Sequence, residues 1–257
     1  MSEQLTTSSL RMVWSRAPWD EALCGFPVLQ INAIEVYGAN ASNDLQIFEH
    51  ERDRIGAGLV SCRLSHECMT ESMLLEDHGF RFIEMLYAPE LDLSGLSMDE
   101  KIPLLKVKRA RKDDLPALLE IARTSFHNER FKMDPRLERS ISDQRYQNWV
   151  TSSLNHPTQE LYAICDGERR IAFFITELLD DGTCYWHLNA VAPDAQGQGY
   201  GRRVWLSMLN QATIHGASKV RTSIVARNHR VLNLYARLGF SFPPPLMTFH
   251  WVRPRSQ

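Results

Sequence analysis

The stretch that most constrains this chain is 188–215, where an apolar run ends at Pro193, glycines follow at 197, 199 and 201, and a helical pattern starts at Arg202. It reads as strand, tight loop and amphipathic helix. Glycines let backbone amides turn inward around an anion without a Cβ in the way. The helix N-terminus adds unpaired donors and the positive end of its dipole. Arg202 and Arg203 place further positive charge at the same end. Two common phosphate loops fail on spacing. A dinucleotide fingerprint needs glycine where Arg202 stands, and a P-loop needs Gly-Lys-Ser/Thr, which does not follow.

The pattern that fits is Gln/Arg-x-x-Gly-x-Gly/Ala, present from Gln196 to Gly201. With Ala190-Val191-Ala192-Pro193 before it, this resembles the acetyl-coenzyme A pyrophosphate loop and fourth strand of the GNAT (GCN5-related N-acetyltransferase) family. Downstream, Lys219 to Ala226 resembles the family's fifth strand, and Asn228 to Phe240 its Asn-x6-Tyr…Gly-Phe element. The resemblance covers roughly residues 107–253. It implies an α/β fold with a mixed, splayed central sheet and acetyl-coenzyme A as acyl donor. Asn189, Val191, Gln196, Gly197, Gln198, Gly199, Tyr200, Gly201, Arg202 and Asn228 would then hold the cofactor, with Tyr235 as general acid. Asn228 doubles as a helix N-cap.

Composition narrows the partners. A net charge of −2 and a pI near 6.5, without a run of like charges, argue against nucleic acid. Five cysteines without C-x-x-C spacing indicate neither a disulfide framework nor a zinc ribbon. The histidines show no metal spacing, so no metal is expected. A polar N-terminus and the lack of any long apolar run predict a cytoplasmic chain without a membrane span. The sequence leaves a homodimer open.

Residues 1–10 read as a flexible tail, 91–104 as a linker, and 105–257 as the acetyltransferase domain. Between tail and linker, residues 11–90 repeat a later order at an offset of 160: Val60 falls on Val220, Leu64 on Ile224, Gly79 on Gly239 and Phe80 on Phe240. The region is therefore expected to be a partial, degenerate GNAT-like subdomain buttressing the catalytic one. Cys68 and Leu75 stand where Asn228 and Tyr235 recur, and no second glycine loop is present.

Acetyl transfer to an amine needs a held thioester, a neutral amine and a proton for the departing thiolate. A phenol at about 10 stays protonated where a thiol, at about 8.5, leaves, which suits Tyr235 as the donor. For the base the sequence offers Glu177, His187 or a water chain. Scattered aromatics, with Ser125-Phe126, Arg130-Phe131 and Arg145-Tyr146-x2-Trp149-Val150, resemble the dTDP-fucosamine acetyltransferase family of surface-polysaccharide synthesis. That likeness points to a nucleotide-linked amino sugar as the small-molecule amine, with Arg130, Lys132, Arg145 and Tyr146 on its side. Two alternatives stand beside it: another amine, such as an amino acid, peptide N-terminus or aminoglycoside, or a non-enzymatic acyl-coenzyme A binding module.

Overall fold

The computed structural model describes residues 2–96, 101–138 and 140–254, and for 140–143 the backbone alone. Part of the expected linker, 97–100, lies outside the described residues. In chain order the strands and α-helices are β1 (Ser2–Thr6), β2 (Leu10–Arg16), α1 (Pro18–Cys24), β3 (Val28–Val36), α2 (Ala41–Ile55), β4 (Leu59–Ser65), α3 (Met69–Asp77) and β5 (Arg81–Tyr87). There follow β6 (Glu90–Asp92), β7 (Lys106–Arg109), α4 (Leu115–Ser125), α5 (Arg130–Met133), α6 (Ser140–Ser153), β8 (Gln159–Asp166), β9 (Arg169–Leu178) and β10 (Thr183–Val191). The chain ends with α7 (Tyr200–Ile214), β11 (Lys219–Thr222), β12 (Ile224–Val225), α8 (His229–Arg237) and β13 (Leu246–Val252). No helix among the described residues is long and apolar enough to cross a membrane.

The chain forms two compact units that are not contiguous in sequence: residues 1–86, 130–141 and 244–257 make the first, and 87–129 with 142–243 the second. This corrects the simple division at a linker, because the last strand, expected in the C-terminal domain, belongs to the first unit. There β13 lies between β4 and β5 and pairs antiparallel with both. Its alternation drives that placement. Phe249 and Trp251 face a core with Val60, Cys62 and Phe80, while Thr248 and His250 lie buried on the other face. The expected tail is also structured: Ser2–Thr6 pairs with β2 as an edge strand.

The second unit holds a six-stranded sheet in the order β6-β11-β10-β9-β8-β7, antiparallel except for β10 and β11. The first unit repeats this plan, with β3 and β4 as its parallel pair in the order β1-β2-β3-β4-β13-β5. The offset of 160 holds in detail: α3 at 69–77 matches α8 at 229–237, and Gly56 and Gly79 adopt the same left-handed φ as Gly216 and Gly239. Glycine is needed there because other residues rarely adopt a φ of 72–85°.

In the first unit the loop corresponding to the phosphate loop is closed by protein. The amides of Tyr37 and Gly38 donate to the Ser9 carbonyl, and the hydroxyls of Thr7 and Ser9 donate to Asp44 at the start of α2. Glu71 accepts the Val36 amide at 3.1 Å. Carboxylates therefore sit where an anion would have to enter.

Strand β13 also carries a pH-sensitive anchor. His250 and Asp134 are both fully buried, with imidazole Nδ1 3.1 Å from the carboxylate, which also accepts from Arg136 at 2.9 and 2.8 Å. Burial, partly opposed by Asp134, pulls the His250 pKa down to about 4, so the ring is neutral at pH 7. An unfolded histidine takes its proton near 6.5, so the unfolded state gains protons first as pH falls. Stability of the first unit is expected to decline from about pH 6.5 to about 4, by about 3 kcal/mol from this group. Denaturant midpoints measured across that range check this, and His250→Gln is expected to flatten the slope by close to one proton.

Candidate active site

In the second unit β10 and β11 run side by side only from Thr183↔Lys219 to Trp186↔Thr222. On its other edge β10 stays paired with β9 through Val191. The two parallel strands therefore fork after Trp186, leaving the edge at Asn189 to Val191 without a ladder partner on that side. At the apex Thr222 Oγ1 donates to the Trp186 carbonyl at 2.8 Å. Helix α8 starts at this level because Asn228 caps it, its side chain accepting the Val231 amide at 3.4 Å.

Two turns along α8, Tyr235 points inward and is only 1% exposed. Its ring packs against Phe240 at 4.7 Å and Trp205 at 6.1 Å. Burial raises the phenol pKa above its ordinary 10, while the side chains of Trp205, Thr222 and Asn189 oppose the rise. At neutral pH the phenol keeps its proton, at the mouth of the fork.

The glycine loop is shaped as the sequence predicts. Gly197 and Gly199 have φ of 79° and 82°, and a Cβ on either would meet nothing within 4 Å. The glycines are thus required by the turn and not by crowding, and the space above them is open. Gln196 donates to the Val191 carbonyl at 2.9 Å and Gln198 to the Asp194 carbonyl at 2.7 Å. Arg230 reaches Gln196 Oε1 at 3.1 Å. Both glutamine side chains brace the loop, which leaves cofactor contact to the backbone. Among the described residues, the amides of Gly197, Gln198 and Gly199 donate to no protein acceptor, and α7 begins directly after them. A set of free amides at a helix N-terminus, with Arg202 exposed beside it, fits a pyrophosphate. Tyr200 turns aside to Asp166, 2.5 Å away.

Glu177 and His187 meet at 2.7 Å. His187 is the extra residue of a bulge in β10, since Trp186 pairs with Thr176 but Leu188 with Ile175. Alternation sets the imidazole on the face of Glu177 with Tyr185, and the bulge shifts the phase after it, so that Asn189 pairs with Phe174 on the opposite face. Thr158 first, and His187 after it, hold the Glu177 carboxyl below its usual range against the opposing effect of burial, so it stays ionised. Glu177 and Phe174 are three apart on β9 and face opposite ways. Phe174 packs on Trp205, which packs on Tyr235. The Glu177–His187 pair and Tyr235 therefore approach the strand β10 from opposite faces of one sheet.

The expected substrate residues are divided between the two units. Arg130 belongs to the first unit and is 8% exposed, in an ion pair with Asp20 at 2.8 Å. That corrects its reading as a solvent-facing phosphate contact: a buried guanidinium needs a paired carboxylate, and Asp20 supplies it. Lys132 lies in the same unit, half-buried. Arg145 and Tyr146 lie in the second unit. Tyr146 is buried and stacks on Phe126 at 4.0 Å, a core role, and Arg145 lies over the rings of Tyr146 and Trp149 at 5.7 and 5.8 Å. Sequence reasoning did not single out Trp205, Thr222 or Thr158, because only the folded sheet sets them beside Tyr235 and Glu177.

Comparison with known proteins agrees with this geometry. Residues 115–240, just under half of the chain, match the model of the Acetyltransferase (GNAT) family. It is 26% identical over 153 residues to the "Spore coat polysaccharide biosynthesis protein SpsD" of Bacillus subtilis, covering 59% of this chain and 52% of that protein. It is 25% identical over 196 residues to a "Mycothiol acetyltransferase" of Actinosynnema mirum, covering 74% and 58%. The chain thus spans little more than half the length of these curated relatives. A crystal structure of a GCN5-related N-acetyltransferase from Sphaerobacter thermophilus shares the fold, with a TM-score of 0.65 at 13% identity, covering 96% of this chain and 82% of that one.

Proposed function

We propose that the second unit transfers an acetyl group from acetyl-coenzyme A to a primary amine of a small molecule, foremost a nucleotide-linked amino sugar. The observation that carries this reading is a protonated, buried phenol beside the opened edge of β10. Acetyl-coenzyme A supplies, when bound, an acetyl group activated as a thioester. The amides of Gly197 to Gly199 and the N-terminus of α7 hold the pyrophosphate, with Arg202 adding charge. The free edge at Asn189 to Val191 offers backbone groups to an extended arm, as an added strand would take them. Asn228 stands at the start of α8 on the same fork.

Tyr235 holds the proton that a departing thiolate requires; its phenol lies above a thiol on the pKa scale. On the other face, ionised Glu177 accepts from His187 Nε2. That leaves Nδ1 as the acceptor for the amine's proton. The amino-sugar reading is supported by the aromatic-segment resemblance and by the similarity to the spore coat polysaccharide biosynthesis protein. A different small amine is the second reading, favoured by the mycothiol acetyltransferase similarity.

Free-thiol release from acetyl-coenzyme A, measured against dTDP-linked amino sugars, amino acids, peptides and aminoglycosides, tests the proposal. Turnover is expected to be highest, by tenfold or more in kcat/KM, on the nucleotide sugars. Turnover on another class alone sinks the sugar reading, and tight cofactor binding with no turnover on any amine sinks the enzyme reading.

A further inference from the structure

Three strands of the second unit set one cross-strand row on the Glu177 face. Gln159 of β8 is in register with Glu177 of β9, which is in register with Tyr185 of β10. Directly opposed antiparallel residues share a face, so these three side chains lie side by side. His187, two residues beyond Tyr185, joins the same face, its ring 4.8 Å from Tyr185 and edge-on to it. Trp149 of α6 closes the row from the far end, its indole N–H donating to Gln159 at 3.2 Å and its ring 6.1 Å from His187. Trp149, Gln159, Glu177, Tyr185 and His187 are all partly exposed.

This arrangement is one of an imidazole, paired with a carboxylate, that has an aromatic ring near it on each of two neighbouring elements. Other large aromatics of this sheet, among them Trp186, Phe173 and Phe174, are fully buried. Trp149 and Tyr185 keep exposed surface beside the Glu177–His187 pair although burial would gain ~25 cal/mol for each Å² hidden. Exposed ring faces around a fixed polar pair are the composition of a ligand site.

Resting on the acetyl-transfer reading of the same site, we infer that Trp149 and Tyr185 are specificity-determining residues that receive the ring of the acceptor. The ring they fit is a pyranose: its C–H face lies on the aromatic surfaces while its amine or a hydroxyl meets Glu177 and His187. An acyclic amine satisfies the polar pair but has no flat apolar face to cover the rings.

Steady-state kinetics on the whole chain separate these cases, using a dTDP-linked amino sugar and an acyclic diamine as acceptors. In Trp149→Ala the ratio of kcat/KM for the sugar to that for the diamine is expected to fall at least tenfold, chiefly through the sugar's KM. Trp149→Phe is expected to restore much of it, and Tyr185→Ala to lower it by a similar factor. An unchanged ratio in both alanine variants, with both acceptors falling equally, overturns the inference and makes Trp149 a packing residue. Saturation-transfer NMR of the amino sugar without acetyl-coenzyme A keeps the test independent of turnover. Contact to the sugar ring C–H protons that is lost in Trp149→Ala supports the platform even if no amine is acetylated, in which case only the transferase reading fails. Absence of ring contact in the wild type, with amines still acetylated, removes the platform alone.

Discussion

Tyr235→Phe is expected to lower kcat about 10²- to 10³-fold while leaving acetyl-coenzyme A affinity within a factor of two. The substitution keeps the ring that packs on Phe240 and Trp205 and removes only the hydroxyl. Removing one buried hydroxyl is expected to cost about 1 kcal/mol of stability. That is too small to unfold the domain, so a loss of turnover reads as chemistry. Because burial raises the phenol pKa, the wild-type rate is expected to show no loss through Tyr235 ionisation below about pH 10. Single-turnover kinetics with saturating acceptor measure the effect. A variant that turns over within threefold of wild type assigns Tyr235 to the core and leaves the thiolate to be protonated by solvent.

The features legible in the sequence are those set by local backbone chemistry. Gly197 and Gly199 stand where φ is positive, Asn228 stands where a helix lacks a donor's partner, and Tyr235 falls seven residues beyond it on the inward face. Each follows from neighbours within a few positions. The repeat at 160 was legible for the same reason, since Gly79 and Gly239 end equivalent helices.

What the sequence hid depends on distant pairing. Arg130 looks like any surface arginine until Asp20, 110 residues away, is beside it. Strand β13 carries an alternation that fits either unit, and only its register against Leu59–Ser65 assigns it to the first. The bulge at His187 is a mismatch between two strands and has no signature in either alone. That one extra residue moves Leu188 onto the face of Glu177 and Asn189 onto the face of Phe174.

Gly199→Val is expected to weaken acetyl-coenzyme A binding at least 100-fold. At φ 82°, directly before α7, a β-branched residue costs on the order of 1–3 kcal/mol in backbone strain alone. The remainder comes from turning the adjacent amides away from the pyrophosphate and placing methyl groups in space the loop leaves open. Gly199→Ala bears the same strain with less bulk and is expected to lose less. Calorimetry gives a second reading in the same experiment, because the number of sites is as informative as the affinity. The first unit has Tyr37 and Ala39 where Gly197 and Gly199 recur at the offset of 160, and no residue other than glycine in the described chain has a positive φ. Its loop amides are already taken by the Ser9 carbonyl, and Asp44 and Glu71 add negative charge there. The wild type is therefore expected to bind one equivalent per chain and Gly199→Val none at the same concentrations. Two equivalents in the wild type, or one surviving in the variant, requires the first unit to open its Thr7–Ser9 turn and bind the cofactor itself. Then the repeat is functional, and one glycine loop does not account for the chain's cofactor binding.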